Sequence, residues 1–381
     1  MATSSPASAN ETTRFQAKVR QEYVRKGKFG PHIGPEQDNI IQVNQDLKKT
    51  SIALVTKITG GGVSGNTAMA GNETPLSDYD FTTQPTYWRQ AVLVDNEDNE
   101  KAEFDLFKEA RPALMNWTME KKRDQIIQAM GAVWAGATYY NYGGTEGAFG
   151  STAAAAANMD TWLSTNETRV LYGTTQTHTA ADHTTSLSGI ASTEKMDVET
   201  ISLLKRMAKR ASPLIRPVTI KSDEPWYVFY MGSLGFRDIR IDLDSRHQNA
   251  LPRDIKDNVL WTGGDLVYDG VIIKEVPEID TFIDGDSSGS PWDGVWGANA
   301  ASGDGLDNGG TSSARLGVGF FCGAQAVAFG LGRLPSFKRR KEDDYEHLNG
   351  IGITMKHDIK KTFYNNKQHG MITSFHAAAA D

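Results

Sequence analysis

The sequence predicts an α+β protein in which one long β-hairpin is followed by one long helix. Two β-rich segments, Ser51–Ile58 and Tyr87–Asp95, flank almost thirty polar, glycine-rich residues. A helix pattern begins near Lys101, and further apolar β-type segments follow in the second half of the chain. A two-stranded hairpin is only marginally stable in water, so we expect this one to pack against neighbouring subunits in an assembly.

The composition indicates a folded chain with long loops of small residues. The 381 residues are 39% hydrophobic and include 37 glycines. The net charge of -7 argues against a protein that grips nucleic acid over its whole surface, because such proteins are basic. The single cysteine, Cys322, excludes an internal disulfide framework and a cysteine-based zinc cluster. The first thirty residues lack an apolar signal-peptide core, and no run is long enough to predict a membrane span.

The N-terminal segment predicts a short basic amphipathic helix over residues 13–28. Phe15, Val19 and Tyr23 recur at four-residue spacing. The basic residues around them are Arg14, Lys18, Arg20, Arg25, Lys26 and Lys28. We favour a clamp on an acidic neighbour over a solvated helix on the chain's own domain, because no core-sized sequence precedes this segment.

Two further segments carry clear helix patterns. Apolar residues recur at three- to four-residue spacing across Lys101–Trp134, and Pro112 should kink this helix or start a new one. The second helix starts after Asp197, its predicted N-cap, and ends near Ala211. Residues 135–192 are rich in Ala, Gly, Thr and Asn, and predict loops with short helical pieces.

The second half of the chain supplies the predicted strands. Trp226–Met231 is continuously apolar and predicts a strand buried on both faces. Val267–Val276 predicts a strand pair or a bent strand, and Ile351–Ile359 and Met371–His376 predict closing strands. We interpret Leu316–Leu331, the longest apolar run, as a buried helix.

The glycine-rich segments do not predict a catalytic or cofactor site. Thr59–Gly65 is not followed by the Lys-Ser/Thr pair of a phosphate-binding loop, nor closely by a helix. Gly232–Gly235 follows a buried strand, as a nucleophile elbow does, but lacks the G-x-S-x-G spacing. We therefore predict no catalytic residue and no cofactor.

Metal-like patterns are also weak. His178 and His183 have loose ligand spacing, and we favour exposed loop histidines there. Asp284–Asp293 resembles half of a calcium loop, but Val295 stands where such a loop needs a glutamate. We favour a solvated turn and predict no metal.

Four blocks of the chain carry a family pattern in a fixed order, and they are Asp38–Lys49, Gly61–Ala91, Ile215–Ile272 and Leu316–Phe363. Together they resemble the major capsid proteins of tailed bacteriophages, of the kind found in podophages that carry a giant virion RNA polymerase. The third block contains WYVFYMGSLGFRDIRID where the family has a hydrophobic strand, His-Pro and Asp-Leu. Met231-Gly232 therefore departs from the family pattern, as does Asn66 in place of a common Asp.

The resemblance implies the tailed-phage major capsid fold and a structural role without enzymatic activity. It assigns an N-arm to residues 1–50, an extended E-loop to 51–100, a peripheral domain to 101–195, an axial domain to 196–345 and a C-terminal return to 346–381. The spine helix would span residues 101–134. The implied function is self-assembly into an icosahedral head enclosing double-stranded DNA.

The resemblance also implies partners and a location. The partners are other copies in hexamers and pentamers, portal and scaffold proteins, and in some heads a cement or decoration protein. DNA would be enclosed without sequence-specific binding, no membrane would be involved, and the chain would pass from the host cytoplasm into the virion capsid. The predicted inter-subunit residues are Arg14, Lys18, Arg20, Arg25, Lys26, Lys28, Gly61, Gly65, Asn72, Glu73 and Trp88.

Two other functions stay open at this point. One is a virion-associated glycan hydrolase that uses the Asp-rich loops at 284–307. The other is a decoration or tail protein. An enzyme should stay monomeric or form a small closed oligomer, whereas a capsid subunit should form shells or capsomers.

Overall fold

The computed structural model describes residues 25, 27–33, 40–44, 49–58, 60–101, 105–135, 138–140, 152–174, 182–219, 225–247, 266–283, 315–340 and 348–378. Its helices are α1 Asn96–Lys101, α2 Leu106–Gly131, α3 Thr152–Asn166, α4 His183–Ser188, α5 Val198–Arg210, α6 Ser233–His247 and α7 Glu278–Ile283. Short 3-10 turns occur at Gly30–His32 and Glu167–Arg169.

The strands of the first half are β1 Ile41–Asn44, β2 Thr50–Val55, β3 Asp78–Thr83, β4 Thr86–Asp95, β5 Val133–Ala135, β6 Thr138–Tyr140 and β7 Val170–Tyr172. Those of the second half are β8 Val218–Thr219, β9 Pro225–Met231, β10 Leu266–Tyr268, β11 Val271–Glu275, β12 Leu316–Cys322, β13 Val327–Arg339, β14 Leu348–Lys361, β15 Phe363–Tyr364, β16 Lys367–Gln368 and β17 Met371–Ala377. The mixture of helices and several sheets is the predicted α+β class.

The chain divides into two compact units. The described part of the smaller unit lies chiefly in residues 87–122 and 333–356, and that of the larger unit in 27–86, 123–332 and 357–378. Helix α2 and strands β13 and β14 each contribute residues to both units. None of the helices in the described ranges has the length and apolar character needed to cross a bilayer.

A seven-stranded sheet organises the larger unit. Its order is β10-β11-β9-β12-β17-β7, and β8 pairs with β9. The central strand β9 sends Val228 and Tyr230 into one hydrophobic core and Tyr227 and Phe229 into another. Both faces of this strand are therefore buried, which is why its sequence shows no alternation and why the prediction for Trp226–Met231 is confirmed.

Helices cover both faces of the larger unit's sheet. On one face lie Met159 and Trp162 of α3 and the C-terminal part of α2 with Ile127. On the other face lie α5, through residues such as Leu204, and α6, through residues such as Ile239. The two faces thus form two separate cores on one sheet.

The smaller unit combines a sheet, ordered β13-β14-β4, with the N-terminal part of α2. Leu114 and Trp117 of α2 pack against Val92, Ile351 and Ile353 of the strands. This small core fixes one face of the sheet against the helix.

The predicted hairpin pairs differently from the expectation. Strand β2 is antiparallel to β3, with Val55 opposite Asp78, and the predicted returning strand Tyr87–Asp95 instead belongs to β4 beside β14. Pro85 lies between β3 and β4 and has no backbone N–H for a sheet ladder. The backbone N–H of Gln84 instead donates to the Asp358 carboxylate at 2.8 Å. The chain therefore leaves one sheet and enters another at this point.

The interpretation of Leu316–Leu331 as a buried helix is wrong. The segment forms β12, a turn at Gly323–Ala326 and the start of β13, with Gln325 at φ 60°. A continuous apolar run has no period that separates a buried strand from a buried helix. Its aromatic residues favour the strand, and its interior glycines are unfavourable in a helix.

Two helices, α3 and α6, form where the sequence did not predict a helix of this length. Residues 135–192 contain the 15-residue helix α3, which the alanine run favours because Ala has the highest helix propensity. The charged segment after Gly235 forms α6, with Phe236, Ile239 and Leu243 inward at three- to four-residue spacing.

The long predicted helix starts later and ends earlier than Lys101–Trp134. Helix α2 begins at Leu106 and continues through Pro112, and Trp134 lies in β5.

Candidate inter-subunit surfaces

The β2–β3 hairpin, the predicted E-loop, has a buried base and an exposed outer part. Phe81 is 3% exposed and its ring meets Tyr364 edge-on at 6.3 Å, within the core of the larger unit. Next to Phe81, Ser51 donates a diagonal cross-strand hydrogen bond to Asp80 at 3.3 Å. The last cross-strand bonds run from the backbone N–H and hydroxyl of Thr56 to the Ser77 carbonyl, at 3.0 and 2.9 Å. Residues 57–76 form the tip beyond this point.

The predicted contact residues Asn72 and Glu73 shape the hairpin tip. The backbone N–H of Gly71 donates to the Glu73 carboxylate at 2.8 Å, and the Asn72 side chain donates to the Ala68 carbonyl at 3.0 Å. Asn72 also donates its backbone N–H to the Met69 carbonyl at 3.1 Å. Gly71 has φ +89°, a conformation that favours glycine. These bonds hold a tight turn over Met69–Asn72, in which Met69 is the first residue and Ala70 and Gly71 are the central ones.

The two predicted contact glycines, Gly61 and Gly65, lie in open parts of the tip. A Cβ added at either position would meet no atom within 4 Å. Gly65 has φ +70°, so its glycine serves the backbone conformation. Close packing within the chain therefore does not account for either residue.

Large apolar side chains are concentrated on the outer part of the hairpin. Val55 is 58% exposed, Ile58 63%, Met69 72% and Leu76 60%. Scattered exposed apolar residues are ordinary, but four of the eleven exposed large apolar side chains among the described residues lie on this one hairpin. The hairpin thus presents apolar surface that the described part of its own chain does not cover.

Trp88 lies on β4 in the smaller unit and is half-buried. The ammonium of Lys121 on α2 lies 4.5 Å from the centre of its ring, within the range of a cation–π interaction. The structure thus places Trp88 against the helix of its own unit. Its proposed part in contacts with another copy stays a prediction.

Most of the predicted basic clamp lies outside the described residues, namely Arg14, Lys18, Arg20 and Lys26. Arg25 and Lys28 are described and their side chains are exposed. They precede Phe29 and His32, which are buried at 2% and 1% exposure and anchor this end of the chain in the larger unit.

His32 is an anchor that the sequence analysis missed. Its Nε2 lies 2.9 Å from the Gly323 carbonyl and its Nδ1 lies 2.9 Å from the Tyr230 hydroxyl. A carbonyl only accepts, so Nε2–H donates to Gly323 and Nδ1 accepts from Tyr230. Burial lowers the pKa of His32 to about 4, and the ring is neutral at pH 7. The neighbouring Gly-Pro steps gave no sign of this contact.

The weak chemical motifs have packing roles where the structure describes them. The strand–turn–helix at Gly232–Gly235 is formed, and a Cβ at Gly232 would overlap the Asp280 carboxylate. That carboxylate accepts the Leu234 backbone N–H at 3.2 Å, at the start of α6. The glycine is thus needed for close approach of Asp280.

The favoured interpretation of His183 as an exposed loop histidine is wrong. Its side chain is fully buried in α4 and its Nδ1 lies 2.6 Å from the Tyr172 hydroxyl. His178 and the Asp284–Asp293 turn lie outside the described residues. Within the described ranges, no three His, Cys, Asp or Glu side chains are grouped to hold a metal ion.

Comparison with known proteins identifies relatives along nearly the whole chain. A family model described as phage capsid protein matches residues 3–380. The major capsid protein of Pseudomonas phage KPP25 is 23% identical over 340 residues, which are 84% of this chain and 81% of that protein.

Solved capsid structures share the fold. A chain of the cyanophage Pam1 capsid has a TM-score of 0.83 and 30% identity, and the match covers 100% of both chains. A chain from the capsid of Ralstonia phage GP4 has a TM-score of 0.67 at 16% identity, covering 97% of this chain and 96% of that one. These likenesses confirm the predicted tailed-phage capsid fold. The chain therefore belongs to the phage capsid protein family and is a major capsid protein, located in the capsid of a phage virion.

Proposed function

We propose that copies of this chain self-assemble, through hexameric and pentameric capsomers, into an icosahedral podophage head that encloses double-stranded DNA. The observation that carries the proposal is the exposed apolar surface of the β2–β3 hairpin, formed by Val55, Ile58, Met69 and Leu76. Its occupant in the head is a second copy of the chain. The subunit acts structurally and performs no catalysis.

The energetics suit a shell that is built from many weak contacts. Burying one large apolar side chain contributes about 1.5–3 kcal/mol. The bonds of Asn72 and Glu73 fix the turn around Met69 before contact, which lowers the ordering cost of association. Because every subunit makes such contacts with several neighbours, individually modest interfaces add up to a stable head.

The remaining assignments extend this proposal. Residues 51–100 act as the E-loop, 101–195 as the peripheral domain and 196–345 as the axial domain, with 1–50 as the N-arm and 346–381 as the C-terminal return. The basic residues of the N-arm, together with Gly61, Gly65 and Trp88, contribute to contacts between copies. Portal and scaffold proteins guide assembly, and a cement protein is a further candidate partner. The net charge of -7 suits a shell that contains DNA without binding it tightly.

Replacing Met69 tests the contact made by the hairpin tip. Met69→Ser should reduce the yield of shells from the full-length chain with scaffold supplied, because the side chain is 72% exposed in the subunit and buried in the assembly. Met69→Leu keeps apolar bulk and should assemble normally. Shells are counted by electron microscopy, and the circular dichroism of all three proteins should agree. Equal shell yields from Met69→Ser and wild type would refute this contact, and wild type that stays monomeric would refute the proposed function.

A further inference from the structure

A concave pocket of about 190 Å³ lies in the larger unit, where the C-terminal end of α5 meets the 3-10 turn Glu167–Arg169. Its lining residues are Thr168, Arg206, Met207, Arg210 and Ala211. Met207 and Ala211 are buried at 3% and 2% exposure, so they form an apolar floor. A water molecule takes roughly 30 Å³ of liquid, and the pocket therefore has room for a phosphate-sized group with some water.

Two guanidinium groups flank this floor. Arg206 and Arg210 are four residues apart on α5 and therefore lie on one face of the helix. Neither makes a hydrogen bond or ion pair within the described part of the chain. Glu167, the acidic residue beside Thr168 in sequence, pairs with neither of them in these ranges. The Thr168 hydroxyl adds a third donor to the lining.

A third arginine, Arg169, belongs to the same 3-10 turn. Arg169 follows Thr168 and is fully buried. It donates to the carbonyls of His369, at 2.8 Å, and of Pro213. Its Nε has no partner among the described residues, and no described carboxylate pairs with it. Burial without a counter-charge is costly, and it lowers the pKa of Arg169 to about 10.

A structural role explains only part of this arrangement. Basic residues in the last turn of a helix, such as Lys209 and Arg210, interact favourably with the helix dipole. That role needs neither a concave site with an apolar floor nor a buried arginine in the adjoining turn. None of the three guanidiniums pairs with a carboxylate of the described residues, and they create a local excess of positive charge in a chain whose net charge is -7.

We propose that this pocket binds phosphate, with Arg206 and Arg210 as paired donors and Thr168 as a hydroxyl donor. The planar guanidinium fork matches the oxygens of a phosphate and can donate two parallel hydrogen bonds. The bound dianion also offsets the positive charge that Arg169 adds to the turn that contributes Thr168. Either the free ion or the backbone phosphate of a polynucleotide supplies this chemistry. The site is independent of the hairpin contacts.

Calorimetric titration of the purified full-length chain with inorganic phosphate tests the site, with chloride holding ionic strength constant. The wild type should bind phosphate saturably. Arg206→Gln and Arg210→Gln should each weaken binding about tenfold, because a hydrogen bond to a charged group contributes about 1.5 kcal/mol or more. Lys209→Gln is the matched control. It removes a positive charge from an exposed position on the same helix, and Lys209 does not line the pocket. It should bind nearly as wild type does.

The outcomes distinguish a built site from diffuse charge. Absence of saturable binding in wild type, or equal weakening in all three variants, would overturn the proposal. If Arg210→Gln loses its circular dichroism signal, the phosphate affinities of Arg206→Gln and Lys209→Gln are compared instead, and weaker binding by Arg206→Gln alone supports the site. A short oligodeoxynucleotide that competes with phosphate assigns the pocket to polynucleotide phosphate, and failure to compete assigns it to the free ion. Both results support phosphate recognition.

Discussion

Lys361 places an ammonium group in the core of the larger unit. It is fully buried and donates to the Ala132 carbonyl at 3.3 Å. The ring centres of Phe363 and Trp162 lie 5.4 and 5.8 Å from its Nζ. Burial lowers the pKa of Lys361 to about 7 from its ordinary 10.5. The aromatic faces and one carbonyl thus compensate only part of the desolvation.

This pKa gives Lys361 a measurable effect on stability. The unfolded chain keeps the lysine protonated up to about pH 10, whereas the folded chain loses the proton above about 7. The unfolded state therefore binds more protons in between, and the free energy of unfolding should rise with pH. The contribution is up to about 1.4 kcal/mol per pH unit.

Lys361→Met should remove this rise of the unfolding free energy between pH 7 and about 8, a window below the ordinary pKa of Cys and Tyr, and it should stabilise the subunit at pH 7. Urea unfolding of the unassembled chain at several pH values measures both effects. Lys209→Met, at an exposed position, should keep the wild-type slope. A Lys361→Met protein with an unchanged slope would show that the buried ammonium is compensated.

Among the elements, α5 follows the rules of local sequence most closely. Asp197 was predicted as its N-cap, and its carboxylate accepts the Thr200 backbone N–H and hydroxyl, both at 2.7 Å. The helix ends at Arg210, before Ala211 and Pro213, as expected. The buried residues Ile201, Leu204 and Ala208 recur at helical spacing, so propensity, capping and packing agree.

Asp197→Ala should therefore lower the free energy of unfolding by about 1 kcal/mol, the usual cost of losing a side-chain cap. The urea midpoint of the subunit measures it. Ser202→Ala, at an exposed position on the same helix, should leave the midpoint nearly unchanged. Equal midpoints for Asp197→Ala and wild type would show that the cap contributes nothing.

Local patterns also predicted β9, the β10–β11 pair and the closing strands, because apolar runs and turn residues mark these elements. They failed for Leu316–Leu331, where both faces are buried and the period is lost. They failed again for the partner of β2, because the change of sheet at Gln84–Pro85 involves a contact with Asp358 that no local pattern shows. Of the candidate surfaces, the sequence predicted the hairpin tip. The local sequence could not reveal that the Asn72 and Glu73 side chains make hydrogen bonds within the tip. Nor could it reveal that His32 anchors the N-terminal segment.

At the scale of the whole molecule, the described part of the chain leaves apolar surface exposed on the outer part of the β2–β3 hairpin, whose base belongs to a core. The base packs through Phe81, with Ile52, Leu54 and Tyr79 partly buried against the same core. Val55, Ile58, Met69 and Leu76 stay outside. A subunit built this way should fold without its hairpin tip and need the tip only for contact with other copies.

Replacing Lys57–Leu76 by Asn-Gly tests this central claim most directly. The Thr56–Ser77 backbone bond places these two residues opposite each other, so a two-residue turn can close the β2–β3 stem. Sedimentation velocity of the full-length chain with scaffold then compares the variant with wild type. We predict wild-type shells, a variant that remains as unassembled subunits, and indistinguishable circular dichroism and urea midpoints for the two subunits. Normal shells from the variant, or an unfolded variant subunit, would contradict the account.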